Sequence, residues 1–250
     1  MPELRRHAGP LLALLCLLAA LWPAPPAASA KEPTLRYRTL LTAGASEGQA
    51  LPLLIAVHGW GDTPRGFVGL FEDLPIQARV ILPGGPDLRK KGGLSWYPIR
   101  GASPEQTEQG LRRSVALVLK LMRSVQREQP TLGKPVLTGF SQGGAVSFAM
   151  AALHPEALGS ALPISGYLPL EPGATAKRGK GLVVNALHGE ADEVVPVHKA
   201  ERAVKTLRER GARAALHRFP RRGHSVLGPM RKKLHALLVE ALEAQVAAGS

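Results

Sequence analysis

The sequence predicts an α/β fold, in which helices cover both faces of a mostly parallel sheet. One observation is that short apolar runs bounded by Gly or Pro alternate with longer stretches of helical periodicity. A second is that Leu51–Val57 is apolar throughout, which is typical of a strand buried on both sides. The third is composition. The 250 residues are 45% apolar with a single Cys, which excludes a disordered chain and a disulfide scaffold.

Six apolar runs predict six strands, of which the last is the weakest. They are Leu51–Val57, Ala78–Leu82, Pro135–Thr138, Ser160–Ile164, Leu182–Leu187 and Leu216–Phe219. Gly84–Ser95 and Glu171–Gly181 are predicted loops. Neither loop is long enough to form a domain, so residues 31–250 are predicted to fold as one domain.

The first of four predicted helices has the clearest start. Ser103 is a capping residue, Pro104 suits the first helical position, and Gln106 completes a capping box. Apolar residues then recur at helical spacing up to Gln129-Pro130. The other predicted helices cover residues 142–153, 197–210 and 229–246.

Residues 1–30 have the pattern of a signal peptide. Arg5 and Arg6 form a basic start, an apolar run extends from Leu11 to Trp22, and Ala28-Ser29-Ala30 is a small-residue cleavage pattern. The apolar run is shorter than the roughly 20 residues that a membrane span needs. We therefore expect cleavage near Ala30, export to the periplasm or the medium, and no stable membrane span after cleavage.

The strongest local signal is Gly139-Phe140-Ser141-Gln142-Gly143-Gly144, between a predicted strand and a predicted helix. This is the context of a G-x-S-x-G nucleophile elbow, whose glycines permit a turn too tight for side chains. The turn presents the Ser141 hydroxyl at the carboxyl edge of the sheet. The helix N-terminus supplies N–H groups for a developing oxyanion. Ser141 is therefore the predicted nucleophile.

An acid that orients the catalytic base is expected next along the chain, and the base itself last. Three acids, Glu190, Asp192 and Glu193, follow the strand Leu182–Leu187. Asp192 is favoured because Val194-Val195-Pro196 has the pattern of a fixed turn that leads into a helix. Glu190 and Glu193 remain alternatives on chemistry alone.

Of the eight histidines, His224 is the predicted base. It follows the strand Leu216–Phe219 and precedes the last helix, which fits the expected chain order. His58 and His188 each end a strand and precede a glycine, so packing or turn roles explain them.

The loop His58-Gly59-Trp60-Gly61-Asp62 follows the first predicted strand, where a nucleophile-elbow enzyme needs its second oxyanion donor. The backbone N–H groups of Trp60 and Gln142 are therefore assigned to the oxyanion hole. The Trp60 side chain is a candidate wall of the acyl site. Trp96 is assigned to the substrate pocket.

Taken together, five motifs resemble the phospholipase/carboxylesterase family of small α/β-hydrolases, which includes acyl-protein thioesterases. They are His58-Gly59-Trp60-Gly61-Asp62, Leu82-Pro83-Gly84, Gly139-Phe140-Ser141-Gln142-Gly143-Gly144, His188-Gly189 with Asp192 and Val194-Val195-Pro196, and Gly223-His224. The resemblance covers nearly all of residues 50–240. It implies an α/β-hydrolase fold with a minimal cap or none, and a Ser141–His224–Asp192 triad. Ser95-Trp96-Tyr97-Pro98-Ile99 is similar to a Trp-aromatic-Asp motif of the family, but Pro98 replaces the acid.

The formal net charge of +13 comes from small basic clusters, for which a solvated surface is the favoured interpretation. No nucleic-acid motif accompanies them, and only 4% of residues are aromatic, so we expect no nucleic-acid partner. Arg221 and Arg222 adjoin His224 and could draw anionic substrates toward it. No metal-ligand spacing is present, and the chemistry requires no cofactor.

The sequence thus predicts an exported serine hydrolase that cleaves carboxylic esters through an acyl-enzyme, with thioesters left open as a second class of substrate. Its substrate is expected to be a small-molecule or lipid-like ester. Two alternatives stay open. One is a serine peptidase of the same fold, although this chain leaves no room for the propeller or cap that such enzymes often carry. The other is a non-catalytic exported protein that binds an anionic polymer, against which the full set of candidate residues argues.

Overall fold

A seven-stranded sheet forms the centre of the fold. Its strands are β1 (Tyr37–Leu41), β2 (Leu51–Val57), β3 (Arg79–Pro83), β6 (Thr131–Phe140), β7 (Ser160–Ile164), β8 (Val183–Gly189) and β9 (Arg213–Phe219). The spatial order is β1-β3-β2-β6-β7-β8-β9. At one edge β1 runs antiparallel to β3, and all the other neighbours are parallel. The carboxyl ends of six strands therefore meet at one edge of the sheet, where α/β proteins place their sites.

Five helices accompany the sheet in the computed structural model, which describes residues 35–89, 92–170 and 178–249. They are α1 (Pro64–Phe67), α2 (Pro104–Glu128), α3 (Gln142–Leu153), α4 (Val197–Glu209) and α5 (Pro229–Gly249). The described residues fall within one compact unit, Thr34–Ser250. The expected signal peptide, and most of the expected loop Glu171–Gly181, lie outside the described residues.

The apolar core lies in two clusters, one on each face of the sheet. Successive residues of β2 divide between them: Leu53 and Ile55 belong to the cluster that contains residues of α2, α3 and α4, while Leu54 packs in the cluster that contains residues of α5. Every residue of β2 is buried, as the continuous apolar run predicted. The expectation of helices on both faces is confirmed.

The capping box of α2 is present as predicted. Ser103 Oγ accepts a hydrogen bond from the Gln106 N–H at 3.2 Å, and Gln106 Oε1 accepts one from the Ser103 N–H at 2.9 Å. Helix α3 has no side-chain cap at Ser141, and all of its residues are buried. Within the three described ranges, no helix is both long and apolar enough to cross a bilayer.

The expected loop Gly84–Ser95 was wrong in part. It contains a small antiparallel hairpin, β4 (Asp87–Leu88) and β5 (Leu94–Ser95). Backbone hydrogen bonds join β5 to the turn after β2: Gly61 N donates to Leu94 O at 2.8 Å, and Leu94 N donates to Asp62 O at 3.0 Å. These distant contacts, which leave no periodic signal, hold the hairpin against the carboxyl end of β2.

Candidate active site

The turn between β6 and α3 has the strained geometry of a nucleophile elbow. Ser141 has φ 56° and ψ −111°, a conformation that a non-glycine residue adopts only where its surroundings impose it. The Ser141 N–H donates to Ile164 O at 2.9 Å, which ties the turn to the end of β7. A Cβ at Gly143 would lie 2.0 Å from Val57 O, and one at Gly139 would lie 2.4 Å from Gly143 O. The structure confirms that both positions need glycine.

Three of the predicted site residues meet in one chain of hydrogen bonds. His224, on the segment between β9 and α5, places Nε2 2.9 Å from Ser141 Oγ and Nδ1 2.7 Å from Asp192 Oδ2. A carboxylate can only accept, so Nδ1 carries the proton and Nε2 is free to accept from the serine hydroxyl. The Phe140 ring lies 4.8 Å from the imidazole, centre to centre, and supports one side of it.

Asp192 is buried at the carboxyl end of β8 and has a full set of donors. Its Oδ1 accepts from the N–H groups of Val194 at 3.0 Å and Val195 at 2.8 Å. Oδ2 is thereby turned toward His224. Of the alternative acids, Glu190 binds Arg218 at 2.8 Å and Glu193 is exposed. The geometry therefore favours Asp192 over both.

Two further histidines, for which the sequence indicated only packing or turn roles, lie directly behind the site. His188 is wholly buried and donates from Nε2 to Val195 O at 2.7 Å. His58 is equally buried; its Nδ1 donates to Gly59 O at 2.7 Å, and its Nε2 accepts from the Gly85 N–H at 3.1 Å. Burial lowers the pKa of both rings, since it disfavours the charged form. The sequence signal that points to both is a His-Gly pair: His58-Gly59 directly follows β2, and His188-Gly189 ends β8.

A cavity of about 340 Å³ opens beside Ser141. It is lined by Gly59, Trp60, Asp62, Ile99, Arg100, Phe140, Ser141, Val194 and His224. Much of its wall is apolar, and its size lies at the lower end of the range for small-molecule sites. It can therefore take a small apolar group next to the serine hydroxyl.

The two residues assigned to the oxyanion hole lie near Ser141, one next to it in the chain and the other in the wall of the same cavity. Gln142 is the first residue of α3, and the N–H groups in the first turn of a helix have no partner within the helix. Trp60 lies in the turn after β2 and lines the cavity. The guanidinium carbons of Arg89 and Arg100 lie 3.5 Å and 4.9 Å from the centre of the Trp60 ring.

The assignment of Trp96 to the substrate pocket was wrong. Its side chain is fully buried and does not line the cavity beside Ser141. The hairpin of β4 and β5 turns the indole inward, where Nε1 donates to His58 O at 2.9 Å. Ile99 and Arg100, just downstream, line the cavity instead.

The part of the chain that the structure describes contains no group of three or more His, Cys, Asp or Glu side chains able to hold a metal ion. The groups that lie together at the site are the serine, the imidazole and the carboxylate, beside the backbone N–H groups at the start of α3.

Comparisons with known proteins agree with this architecture. A rice (Oryza sativa subsp. japonica) protein named a probable inactive carboxylesterase is 28% identical over 194 residues, which cover 69% of this chain and 78% of the relative. Acyl-protein thioesterase 1 of Mycosarcoma maydis is 27% identical over 236 residues, covering 83% of this chain and 98% of the relative. The carboxylesterase of Bacillus cereus superimposes with a TM-score of 0.72 at 18% identity, covering 84% of this chain and 96% of that one.

At that identity, the structural likeness supports the α/β-hydrolase fold alone. The family itself follows from sequence, because the family model described as Phospholipase/Carboxylesterase matches residues 42–238, most of the chain. This match confirms the resemblance inferred from the five motifs. The chain belongs to the phospholipase/carboxylesterase family of α/β-hydrolases.

Proposed function

We propose that the protein is an exported serine esterase that hydrolyses small carboxylic esters through an acyl-enzyme. The observation that carries the proposal is the continuous hydrogen-bond chain from Ser141 Oγ through His224 to Asp192, next to a cavity. A nucleophile, a base and an orienting acid in this order make up the machinery of serine hydrolases.

Acylation begins when Ser141 Oγ attacks the ester carbonyl carbon and its proton passes to His224 Nε2. The carbonyl π electrons move onto oxygen, and Asp192 stabilises the imidazolium that has formed. When the tetrahedral intermediate collapses, the bond to the alcohol oxygen breaks, and His224 returns the proton to the leaving alcohol. Water then attacks the acyl-enzyme by the same route, which releases the acid and restores the serine hydroxyl.

The negative oxygen of the intermediate binds the backbone N–H groups of Gln142 and Trp60. Gln142 begins α3, so the partial positive charge of the helix N-terminus adds to its N–H dipole. Removing one such donor typically lowers kcat by about 10²–10³.

The cavity beside Ser141 suits a small acyl group, so we assign the acyl part of the substrate to it. Trp60, Ile99, Phe140 and Val194 supply apolar surface within about 340 Å³. Thioesters react by the same route, and the acyl-protein thioesterase of Mycosarcoma maydis is a relative. Another relative is named probably inactive, whereas in this chain the histidine lies within hydrogen-bond distance of both the serine and the aspartate.

The test is turnover of short p-nitrophenyl esters together with labelling by a fluorophosphonate probe. We expect the wild type to turn over and to be labelled, Ser141→Ala to lose both at unchanged thermal stability, and Ser225→Ala, beside the base, to keep both. A folded wild type that is neither active nor labelled would contradict the proposal and favour a binding protein. Hydrolysis of a peptide amide by the wild type, lost in Ser141→Ala, would instead indicate a peptidase.

Export is part of the proposal and is supported by the pattern of residues 1–30: Arg5 and Arg6, the apolar run from Leu11, and Ala28-Ser29-Ala30. The test is the N-terminal sequence of the protein recovered from outside the cytoplasm after expression of the full chain. A start at Lys31 is expected. Intact protein confined to the cytoplasm would contradict export.

A further inference from the structure

We propose that Trp96 is a positioning residue of the oxyanion hole: it fixes the distance from the peptide that carries the Trp60 N–H to helix α3, and it does so through His58, whose backbone and ring it contacts. The inference rests on the proposed function, since it concerns the same two backbone donors. It deepens that function by assigning a role to buried side chains that touch neither the substrate nor the reacting atoms.

The peptide between Gly59 and Trp60 carries the first of the two proposed oxyanion donors, the Trp60 N–H. A trans peptide is planar, and its carbonyl and N–H point in opposite directions. The Gly59 carbonyl accepts from His58 Nδ1 at 2.7 Å, and His58 Nε2 is itself held by the Gly85 N–H at 3.1 Å. The Asp62 N–H also donates to the Gly59 carbonyl, at the longer distance of 3.3 Å. The ring and this backbone bond together fix the plane of the peptide, with the Trp60 N–H directed away from the imidazole.

The second donor is oriented by the same rule, although by backbone alone. The Ser141 carbonyl and the Gln142 N–H belong to one peptide, and the carbonyl accepts from the Ala145 N–H at 3.0 Å in the first turn of α3. The direction of the Gln142 N–H is thus set by the helix. The remaining variable is the position of the Gly59–Trp60 peptide relative to α3.

Trp96 connects these two parts. The buried Gln142 side chain accepts from the Trp96 N–H through Oε1 at 3.0 Å, and donates from Nε2 to Tyr97 O at 2.7 Å. The Trp96 indole in turn donates to His58 O at 2.9 Å, and its ring lies 5.2 Å from the His58 ring. Two hydrogen bonds and one rigid side chain therefore join the residue after the nucleophile to the turn that carries Trp60.

The connection is fixed from a third side. Ser114 Oγ, on α2, donates to the carbonyl oxygen of Trp96. The N–H, the carbonyl and the indole of Trp96 are thus each bound to a different element, and the side chain has no exposed surface. Fixing donors in advance lets an enzyme stabilise charge without reorganising in the transition state, and displacement of catalytic groups by 1 Å can lower the rate about 10²-fold.

Two substitutions break the connection and leave the chemistry intact. Trp96→Phe removes the indole N–H, and Gln142→Met removes both side-chain hydrogen bonds but keeps the backbone N–H. Tyr97→Phe is the matched control, because it alters a neighbouring buried aromatic side chain without removing either connecting hydrogen bond. If Trp96→Phe fails to fold, benzothienylalanine at position 96 keeps the ring shape and replaces the N–H by sulfur.

The readout is the ionisation of the adduct that a trifluoromethyl ketone forms with Ser141, followed by ¹⁹F NMR, together with kcat and KM for a short ester. We expect both variants to lower kcat by about 10- to 100-fold with little change in KM, and to raise the pKa of the adduct hydroxyl by about 1–2 units. Tyr97→Phe should match the wild type in both measurements.

If Trp96 had a purely structural role, its substitution would lower the melting temperature and leave the pKa of the adduct hydroxyl unchanged. Folded variants with an unshifted adduct would therefore overturn the inference while the esterase proposal stands. A wild type that forms no adduct and hydrolyses no ester would overturn the proposed function, and this inference with it.

Discussion

Nε2 of His188 lies 3.4 Å from Oδ2 of Asp192, the same carboxylate oxygen that contacts His224. Burial lowers the pKa of His188, and its N–H is donated to Val195 O. The ring therefore supplies a dipole beside the carboxylate without a second positive charge. The negative charge of Asp192 remains available to the imidazolium that forms on His224 during the proposed reaction.

The buried histidines predict that stability falls as the pH is lowered. His58 and His188 have lowered pKa values in the folded protein, whereas in the unfolded chain they bind a proton near the ordinary value of about 6.5. The unfolded state then holds more protons below that value, so stability present at neutral pH is lost on acidification. Each ring contributes up to about 1.4 kcal/mol per pH unit to the slope.

Urea unfolding at about pH 7, 6 and 5 measures this slope. His188→Gln should flatten it, whereas His198→Gln, at an exposed position, should leave it unchanged. Asp73 and Glu105, whose pKa values are also lowered, act in the same direction but at lower pH. A free energy of unfolding that stays constant or rises between about pH 7 and pH 5 would count against neutral, buried rings.

Asp192→Asn is predicted to fold and to lose nearly all activity. The Oδ1 position accepts two backbone N–H groups, so the amide oxygen is held there and the NH₂ group faces His224 Nδ1. The imidazole must then accept at Nδ1 and carry its proton on Nε2, which can no longer take the serine proton. A drop in kcat on the order of 10⁴ is expected. Asp73→Asn, at an exposed ion pair with Arg231, is the control, and activity of the Asp192 variant within about tenfold of wild type would refute the assigned tautomer.

Gly143→Ala is predicted to destabilise the fold or to prevent folding. The added Cβ would lie 2.0 Å from Val57 O, which belongs to the buried backbone of β2. Overpacking typically costs about 1–3 kcal/mol, and more where backbone must move. Gly69→Ala serves as the comparison because its nearest neighbour is a glutamate oxygen at 3.9 Å. Equal melting temperatures for the two variants would contradict the close packing of Gly143 against Val57.

Ile99→Ala is predicted to change acyl-chain selectivity. Ile99 lines the cavity but is 43% exposed, so it covers only part of a bound chain. Full burial of one methylene is worth about 0.8 kcal/mol, and partial loss should lower the preference for butyrate over acetate esters by about two- to fourfold in kcat/KM. Leu88→Ala, which alters a side chain far more exposed and outside the cavity lining, should not change the ratio. An equal effect of Ile99→Ala on both esters would place the acyl group elsewhere.

Local signals were sufficient for most of the sheet and for all four predicted helices. The apolar runs Leu51–Val57 and Ser160–Ile164 match β2 and β7 residue for residue, because strands buried on both faces need continuous apolar sequence. Strand β1 has no such run, since as an edge strand it is largely exposed. The start of β9 was placed too late because Arg213 is exposed and carries no apolar signal.

The site separates in the same way into what local sequence determines and what it does not. Ser141 could be identified because the elbow needs glycines at fixed positions around it. Trp96 was misplaced because the direction of its side chain depends on the β4–β5 hairpin, which distant backbone contacts hold in place. The place of His58 behind the proposed oxyanion hole was missed because its partner Gly85 lies 27 residues away along the chain.

The most direct test of the serine mechanism is to trap the acyl-enzyme. The protein is mixed with p-nitrophenyl acetate, quenched in acid within the first turnover, digested, and sequenced by mass spectrometry. The serine mechanism predicts one acetyl group, on the peptide containing Ser141, which is absent from Ser141→Ala and accumulates when deacylation is slowed. Turnover of the ester with no acetyl group on Ser141, or with the group on another residue, would contradict it.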